Sequence, residues 1–251
     1  MNKKRYFIQI AYDGSLYHGW QTQPNALTVQ ELLDGAMSTV FRQPIETLGC
    51  GRTDAGVHAK DFYAHFDVVD LEENKVTNAV AGVNALLPYQ IAVKKIFSVH
   101  QDAHARFDAT ARAYQYYLHF EKDPFKLNRS WLLKDHLDLN AMNKAADVLL
   151  GYTDFSCFSK SNTQTFTNNC TITKAVFETC DDGLVFYIEA DRFLRNMVRA
   201  IMGTLVRVGK HEINLDDFKA IIESKNRSNA GQSVPACGLY LVKVAYPYLT
   251  E

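Results

Sequence analysis

Apolar and polar residues alternate near the start of the chain and then give way to a helical pattern. In RYFIQIAY, residues 5–12, every second side chain shares one face, which predicts a β-strand. Thr28 and Glu31 have the spacing of a helix capping box, and the apolar residues after them recur every three or four positions. The pattern therefore predicts a strand followed by a helix that ends before Pro44.

The remaining elements of the first half complete a β-α-β-β-α-β order. Strands are predicted at 45–50, 61–67 and 90–97, and a helix at 76–86, closed by Pro88. This is the element order of the split βαβ, or ferredoxin-like, unit.

The second half predicts a looser copy of the same order. Strands are expected at 112–120, 171–180, 184–190 and 239–245, and helices at 139–149, 191–208 and 215–224. The repeat lies in the order of elements and not in residue identity. We therefore expect an α+β fold of two ferredoxin-like halves, with domains at 1–103 and 104–251.

Two polar segments interrupt these elements. SKSNTQTFTNN, residues 159–169, has no periodicity and predicts a loop. GRTDAGVHAK, residues 51–60, joins two predicted strands, although a hairpin connection needs only about two to five residues. The extra length indicates that this connection has a functional task.

Composition narrows the class of protein. The chain has 251 residues, 47% of them hydrophobic, and 27 Lys and Arg against 28 Asp and Glu, so an overall basic footprint for nucleic acid is absent while a local patch stays possible. Five cysteines without a C-x-x-C pair favour reduced cytosolic thiols over a zinc site or a disulfide framework. The N-terminus lacks the apolar run of a signal peptide, and no apolar run is long enough for a membrane span. We therefore expect a cytoplasmic protein.

Asp54 and Arg52 are the charged pair of the long connection. A glycine-rich turn, in which Thr53 or Asp54 caps local N–H groups, is one interpretation. In the other, Asp54 is a nucleophile or base that a neighbouring arginine keeps ionised, since carboxylates serve as covalent nucleophiles at sugar carbons. Gly51 and Gly56 would then let a bulky ligand approach the backbone closely.

The helix predicted from residue 191 carries basic residues on an apolar background. Arg192, Arg195, Arg199 and Arg207 lie within about a third of its circumference. Charge on a helix usually means a solvated face. Arg199 lies beside the apolar arc, however, so we expect it to be half-buried and to need a carboxylate or phosphate partner.

The strand RAYQYYLHF is aromatic on both faces. Tyr114 and Tyr116 face one way, Tyr117 and His119 the other, and core packing accounts for at least two of the tyrosines. A ring that faces a cleft would be a stacking platform for a base, as in sheet-based RNA binders. Three basic or titratable residues precede or open the strand: His104, Arg106 and Arg112.

Several motifs together resemble the tRNA pseudouridine synthase A family. GRTDAGVHA resembles the family signature, and YHGWQTQ, GVNALLP, HARFDATARAYQY, NMVRAIMG and GLYLVKVAYP resemble family blocks in the family order. The resemblance spans nearly the whole chain. Ala113 departs from it, because many relatives carry a second basic residue there, which removes one possible phosphate contact.

The resemblance implies an activity and a set of roles. It implies a homodimer, with two ferredoxin-like halves per chain and a basic cleft between them, that isomerises uridine to pseudouridine at positions 38–40 of the tRNA anticodon stem-loop without cofactor or metal. Asp54 is the implied nucleophile, Arg52 assists flipping of the target, Tyr114 stacks on the uracil and Arg199 pairs with Asp54. Other contacts with the RNA are expected from Lys60, Arg106, Arg112, Arg192 and Arg195.

Alternatives stay open at the level of sequence. Attack at C1′ and formation of a glycal are both compatible with an ionised carboxylate. An RNA-binding module that has lost catalysis is a second possibility. A carboxylate glycosidase is a third, although it would ordinarily need another carboxylate about 5 to 9.5 Å away.

Overall fold

The computed structural model describes residues 3–160 and 166–249. They form an α+β fold built on mostly antiparallel strands. The chain divides into two compact units. Unit 1 takes in the chain up to Thr110 and again from Leu241, and unit 2 runs from Ala111 to Tyr240.

Unit 1 contains the element types predicted for the first half. Its strands are β1 (Lys3–Tyr12), β2 (Leu48–Gly49), β3 (His58–Val69) and β4 (Ile91–Ser98), and its helices are α1 (Val29–Phe41), α2 (Glu73–Thr77) and α3 (Val80–Leu86). β1 pairs antiparallel with both β3 and β4, and β2 pairs with β3.

The core of unit 1 lies on both faces of β1. Tyr6, Ile8, Ile10 and Tyr12 are buried on the predicted face. Phe7 on the opposite face is also fully buried, because rings from β4 and from the C-terminal segment pack around it. The strand is therefore covered on two sides, which simple alternation does not predict.

The strand predicted at 45–50 is short because its backbone bonds to α1. The Ile45 N–H donates to the Ser38 hydroxyl at 2.9 Å, and the Thr47 N–H donates to the Asp34 carboxylate at 3.1 Å. Those donors are unavailable to a neighbouring strand, so β2 keeps only two residues.

Two further boundaries in unit 1 differ from the predictions. β3 begins at His58, because Ala59 already pairs with Tyr12 of β1. The connection from β2 is therefore residues 50–57, named the Asp54 loop below, and not 51–60. The helix predicted at 76–86 is two helices, α2 and α3, between which the Ala79 N–H donates to the Val76 carbonyl and tightens the turn.

Unit 2 contains the predicted second set of elements. Its strands are β5 (Ala111–His119), β6 (Trp131–Leu132), β7 (Ile172–Cys180) and β8 (Gly183–Ala190), and its helices are α4 (Leu139–Val148), α5 (Met197–Gly209) and α6 (Leu215–Glu223). β8 pairs antiparallel with β5 and β7, and β6 pairs parallel with β5. The last strand, β9 (Leu239–Ala245), has the predicted bounds and begins in unit 2 and ends in unit 1.

The helix predicted from 191 begins only at Met197. The Asp191 carboxylate accepts the Thr171 N–H at 2.7 Å, which turns the chain at the end of β8. Asn196 has φ 65°, a left-handed conformation that a continuous right-handed helix excludes. Residues 191–196 are therefore a bend at Asp191 and a turn that leads into α5.

This late start changes the arrangement of the arginines. Arg199 and Arg207 lie on α5, whereas Arg192 and Arg195 precede it. The prediction that all four share one helical face is therefore wrong for Arg192 and Arg195.

The two compact units group some residues differently from the predicted domains, 1–103 and 104–251. Residues 104–110 and the segment from Leu241 belong to unit 1. The Tyr246 hydroxyl donates to the Ala105 carbonyl at 2.6 Å, which ties these two pieces together.

Part of the loop predicted at 159–169, residues 161–165, lies outside the described residues. On its flanks, Asp154 and Asn169 form an isolated antiparallel bridge, and the Phe155 N–H donates to the Asn168 carbonyl at 3.2 Å.

Candidate active site

The Asp54 loop is closed by a turn and by a buried hydroxyl pair. The Thr53 and Tyr12 hydroxyl oxygens lie 2.9 Å apart, and both residues are buried. The Val57 N–H donates to the Asp54 carbonyl at 3.2 Å. Gly56, inside this turn, has φ 78°, a conformation in which an L side chain is strained. Gly56 therefore serves the backbone of the turn.

Residues 13–20 approach the backbone of the Asp54 loop closely at Gly14 and Gly19. A Cβ on Gly14 would lie 2.0 Å from the Val57 carbonyl oxygen. Gly19 has φ 89°, and a Cβ there would lie 2.3 Å from the Thr53 carbonyl oxygen. Only glycine fits at both approach points.

Backbone hydrogen bonds join the same two segments. The Gly56 N–H donates to the Tyr17 carbonyl at 3.2 Å, and the Trp20 N–H donates to the Thr53 carbonyl at 3.4 Å. The backbone on both sides of Asp54 is thus held by residues far away in sequence.

The two charged residues of the loop differ in exposure. Asp54 is half-buried, and Arg52 is exposed. A Cβ placed on Gly51 would meet nothing within 4 Å, so the loop faces open space at that point. The loop therefore presents a carboxylate and a guanidinium on a fixed backbone beside open space.

Half-buried Asp13 and buried His58 lie together at the end of the loop. The Asp13 carboxylate accepts the Ser15 N–H at 3.0 Å and caps a short 3₁₀ turn. His58 Nδ1 accepts the Gly14 N–H at 3.1 Å and lies 3.2 Å from Asp13 Oδ1. A ring whose Nδ1 carries no proton accepts from Gly14, whereas a ring protonated at Nδ1 donates to Asp13.

Arg199 is half-buried, as predicted, and is fixed by a neighbouring segment. Its Nε donates to the Val234 carbonyl at 2.7 Å, while the Val234 N–H donates to the Arg199 carbonyl at 3.2 Å. This segment packs tightly on α5, since a Cβ on Gly203 would lie 1.9 Å from the Gln232 carbonyl oxygen. The bond to Val234 therefore restrains the guanidinium, and the anionic partner stays a prediction.

The tyrosines of β5 divide between core and surface. Tyr116 is fully buried, whereas Tyr114 on the same face is half-buried. Tyr114 contacts Phe193 edge-on, with ring centroids 5.2 Å apart and planes at 88°. Tyr117 on the opposite face is half-buried and contacts Tyr240 in the same way. Core packing therefore explains Tyr116 better than Tyr114.

The turn at Asp191 brings basic residues beside the pair of Tyr114 and Phe193. The Arg112 guanidinium donates to the Asp191 carbonyl at 3.2 Å, and the Asp191 carboxylate accepts the Arg192 N–H at 2.7 Å. Arg112 lies two residues before Tyr114 on one face of β5, and Arg192 directly precedes Phe193. Two predicted RNA contacts thus lie next to the predicted stacking ring.

The other predicted contacts are more dispersed. Lys60 and Arg106 are exposed in unit 1, and Arg195 is exposed in unit 2. The predicted site residues therefore fall into two sets, with Arg52, Asp54, Lys60 and Arg106 in unit 1 and Arg112, Tyr114, Arg192, Arg195 and Arg199 in unit 2.

Sequence reasoning missed Phe193 because its spacing to later apolar residues fits a helix. The usable signal was Asp191 directly after a strand, since an aspartate whose side chain bonds nearby backbone N–H groups favours a turn.

Two further findings concern membrane-spanning helices and metal-binding clusters among the described residues. No α-helix in residues 3–160 and 166–249 has the length and hydropathy of a bilayer-spanning segment. In the same ranges, no three His, Cys, Asp or Glu side chains cluster in a way that would hold a metal ion.

Comparison with known proteins identifies the family. The sequence model of a family described as tRNA pseudouridine synthase matches residues 145–247. A protein of Bacteroides fragilis named tRNA pseudouridine synthase A is 50% identical over 248 residues, 98% of each chain. Proteins of the same name from Parabacteroides distasonis and Acetivibrio thermocellus are 49% and 39% identical, over 97% and 94% of this chain and 96% and 97% of their own. With identities of this size over nearly its full length, the chain belongs to the tRNA pseudouridine synthase A family.

Proposed function

We propose that this protein converts uridine to pseudouridine at positions 38–40 of the tRNA anticodon stem-loop, with Asp54 as the nucleophile. Family membership carries the coarser statement that the protein is an isomerase of uridine in tRNA. The observation that supports the residue assignment is the half-buried Asp54, on a loop that two close glycine contacts hold in place.

The chemistry needs one ionised carboxylate near the ribose. The C1′–N1 bond breaks, either by attack of the carboxylate on C1′ or by removal of a C2′ proton to give a glycal. The detached uracil turns and C5 bonds to C1′. At this step the bond from C1′ to the carboxylate breaks in the first route, and C2′ regains its proton in the second. The C5 proton then leaves and N1 takes up a proton. Substrate and product are isomers, so this scheme needs no external oxidant, reductant or group donor.

Tyr114 is proposed to hold the detached uracil while it turns. Escape of the ring would convert isomerisation into glycosidase action. The edge-on contact with Phe193 supports this role, because it restrains the tyrosine ring from one side.

Two arginines are proposed to assist. Extruding the target nucleotide costs a few kcal/mol of unstacking, and Arg52 is exposed two residues from the nucleophile, where it would stabilise the extruded state. Arg199 is proposed to pair with Asp54. Its half-burial and the bond to the Val234 carbonyl support this role, since a fixed guanidinium binds a carboxylate at lower entropic cost.

The resemblance to the tRNA pseudouridine synthase A family also motivates proposals about the fold of each unit and the oligomeric state. We propose that each unit is a ferredoxin-like half and that the protein acts as a homodimer in the cytoplasm, without cofactor or metal. The support for ferredoxin-like halves is the β-α-β-β-α-β element order of unit 1, in which the second helical position holds α2 and α3.

The test compares Asp54→Asn with Asp147→Asn, a matched change of an exposed carboxylate on α4. The substrate is tRNA carrying tritium at uracil C5, whose release reports the new C1′–C5 bond. We expect Asp54→Asn to abolish tritium release and to leave the tRNA Kd within a few-fold, because the change removes the charge and keeps the shape. Asp147→Asn should behave like the wild type.

The substrate and the products separate this proposal from its alternatives. Release from wild-type reactions should disappear when uridines at positions 38–40 are replaced. Free uracil without pseudouridine would indicate a glycosidase, and binding without any release would indicate an RNA-binding module. Substantial turnover by purified Asp54→Asn would remove Asp54 from the mechanism.

A further inference from the structure

The chain after α6 packs back against α5, and residues 230–235 of it are named the strap below. The Gly231 N–H donates to the Thr204 hydroxyl of α5 at 2.9 Å. The Gln232 carbonyl oxygen lies so close to α5 that a Cβ on Gly203 would come within 1.9 Å of it. The first part of the strap is therefore held directly on the helix.

The strap also contacts Arg199. The Val234 N–H donates to the Arg199 carbonyl at 3.2 Å, and Arg199 Nε donates to the Val234 carbonyl at 2.7 Å. The next residue is anchored as well, because the Pro235 carbonyl accepts the hydroxyl of buried Tyr116 at 2.8 Å. A movement of the strap at Val234 would therefore move the acceptor that restrains the Arg199 guanidinium.

Arg227, in the loop after α6, holds the middle of the strap. Its Nη1 donates to the Gly231 carbonyl at 3.1 Å, and its Nη2 donates to the Ser233 hydroxyl at 3.0 Å. The Ala230 carbonyl accepts a longer bond from Nη1 at 3.5 Å. A planar guanidinium reaches all of these oxygens at once because its donors form a fixed fork.

The Ser233 hydroxyl links Arg227 to the start of α5. Its oxygen also accepts a hydrogen bond from the side-chain amide of Asn196, the residue after which α5 begins. Arg199 lies in the first turn of that helix. Because Val234 directly follows Ser233, the position of this one hydroxyl affects both the beginning of α5 and the acceptor for Arg199.

We propose that Arg227 is a positioning residue for the isomerisation. It holds the strap so that the Val234 carbonyl keeps the Arg199 guanidinium in the orientation that pairs with Asp54. The inference rests on the proposed function for that pairing, and it gives a role to Arg227, a half-buried residue outside the proposed site. Orientation matters because a misplacement of about 1 Å in an active site can lower a rate by roughly 100-fold.

A direct contact with phosphate is the competing role for Arg227. The two roles need different donors. A phosphate contact needs a cation, which lysine also supplies, whereas the strap needs the planar fork, which lysine lacks. The bonds to Gly231 and Ser233 engage both terminal nitrogens of Arg227, which favours the positioning role.

The first experiment measures single-turnover tritium release and tRNA binding for Arg227→Gln, Arg227→Lys, Ser233→Ala and the control Arg207→Gln. Arg207 is also half-buried and lies on α5, where it pairs with Glu212 at 3.6 Å. We expect both Arg227 variants to lower the rate roughly 10- to 100-fold. The slope of log K against log salt should stay unchanged, because no phosphate contact is lost.

The two remaining variants guard against a trivial loss of structure. Ser233→Ala removes only a hydroxyl, so it should lower the rate by less and in the same direction, and Arg207→Gln should keep the wild-type rate. If the Arg227 variants do not fold, Ser233→Ala carries the test, and a wild-type rate in it would overturn the proposal. So would an Arg227→Lys variant with the wild-type rate beside an Arg227→Gln variant with a flatter salt slope, which would indicate a phosphate contact.

A double variant tests whether Arg227 acts through Arg199. Arg199→Lys keeps a cation but has no Nε–H for the Val234 carbonyl. In that background we expect Arg227→Gln to change the rate by less than about 2-fold, because the two changes remove the same interaction. The same full loss in both backgrounds would show that the two residues act independently and would overturn the proposal.

The Arg199 Nε–H signal in NMR spectra gives a readout that does not depend on activity. The signal that Arg199→Lys removes should exchange slowly with water in the wild type, because its proton is bonded to the Val234 carbonyl. Arg227→Gln should speed this exchange, and Arg207→Gln should not. An unchanged exchange rate in folded Arg227→Gln would overturn the proposal. Absence of wild-type turnover would instead refute the proposed function, and the exchange comparison would still show whether Arg227 restrains Arg199.

Discussion

Among single residues, Tyr114 shows how two side chains on one face of a strand can differ in burial. It shares a face of β5 with Tyr116, which is fully buried, yet it is itself only half-buried. Beside Tyr114, the chain turns at Asp191 and places Phe193 edge-on to the tyrosine ring. That turn depends on a hydrogen bond to Thr171, which local periodicity does not reveal.

We predict that Tyr114→Ala lowers the rate of isomerisation more than the affinity for tRNA. One stacking contact is worth about 1–3 kcal/mol, while most affinity for RNA comes from phosphates, so catalysis should fall far more than binding. Single-turnover tritium release and the tRNA Kd measure the two effects. Tyr114→Phe should retain most activity, and Tyr117→Ala, on the opposite face, serves as the control. Equal losses of rate and affinity in Tyr114→Ala would make Tyr114 a core residue only.

At the scale of elements, the Asp54 loop depends on its contact with the turn at Gly14. A Cβ on Gly14 would lie 2.0 Å from the Val57 carbonyl oxygen, a backbone atom that cannot rotate away. Gly35, on the exposed side of α1, has nothing within 4 Å of the same added atom. The two glycines therefore offer the same substitution with opposite expected results.

We predict that Gly14→Ala lowers both stability and turnover. The overpacked contact should cost about 1–3 kcal/mol and displace the loop that carries Asp54. Gly35→Ala should stabilise the protein by about 1 kcal/mol, because alanine favours a helix interior, with turnover unchanged. Thermal unfolding and tritium release test both. Full activity in Gly14→Ala would mean that the position of the loop does not depend on this turn.

Local signals were sufficient to predict some elements and not others. α1 was predicted from Thr28, whose side chain accepts the Glu31 N–H at 3.4 Å. β7 and β8 lie within one residue of the strands predicted at 171–180 and 184–190. β2 was mispredicted because the Thr47 N–H donates to the Asp34 carboxylate of α1. The start of α5 was mispredicted because the Asp191 carboxylate accepts the N–H of Thr171, a residue distant in sequence.

The candidate site shows the same division between local and distant information. Residue type and spacing were enough to select Asp54 as a candidate and to predict that Arg199 is half-buried. The contacts that hold these two residues in place were not predicted. Gly14 and Gly19 approach the backbone of the Asp54 loop, and the Val234 carbonyl accepts a hydrogen bond from Arg199. Such contacts join residues far apart in sequence, so one sequence without a structure does not specify them.

For the whole molecule, net charge is a poor guide to RNA binding. The chain carries a net charge of −1. Several acids nonetheless pair with bases outside the proposed RNA contacts, as in Arg5–Asp67, Lys126–Asp182 and Lys210–Asp135. Local pairing of this kind leaves room for a basic surface on a nearly neutral protein.

Binding of tRNA should therefore be steeply salt-dependent. Each phosphate that a base neutralises adds about −0.7 to −0.9 to the slope of log K against log salt, so four or more contacts give about −3 or steeper. If the proposed positions 38–40 are all substrates, the contacts should be to backbone and not to base edges, since such an enzyme cannot depend on one fixed sequence. Titrations of two tRNAs that differ around the target uridine should give similar slopes.

Arg192→Gln should flatten the slope by about one phosphate contact, whereas Lys210→Gln, which only removes the pair with Asp135, should not. A slope near zero, or affinity that tracks the flanking bases, would contradict the assignment of these arginines to phosphate.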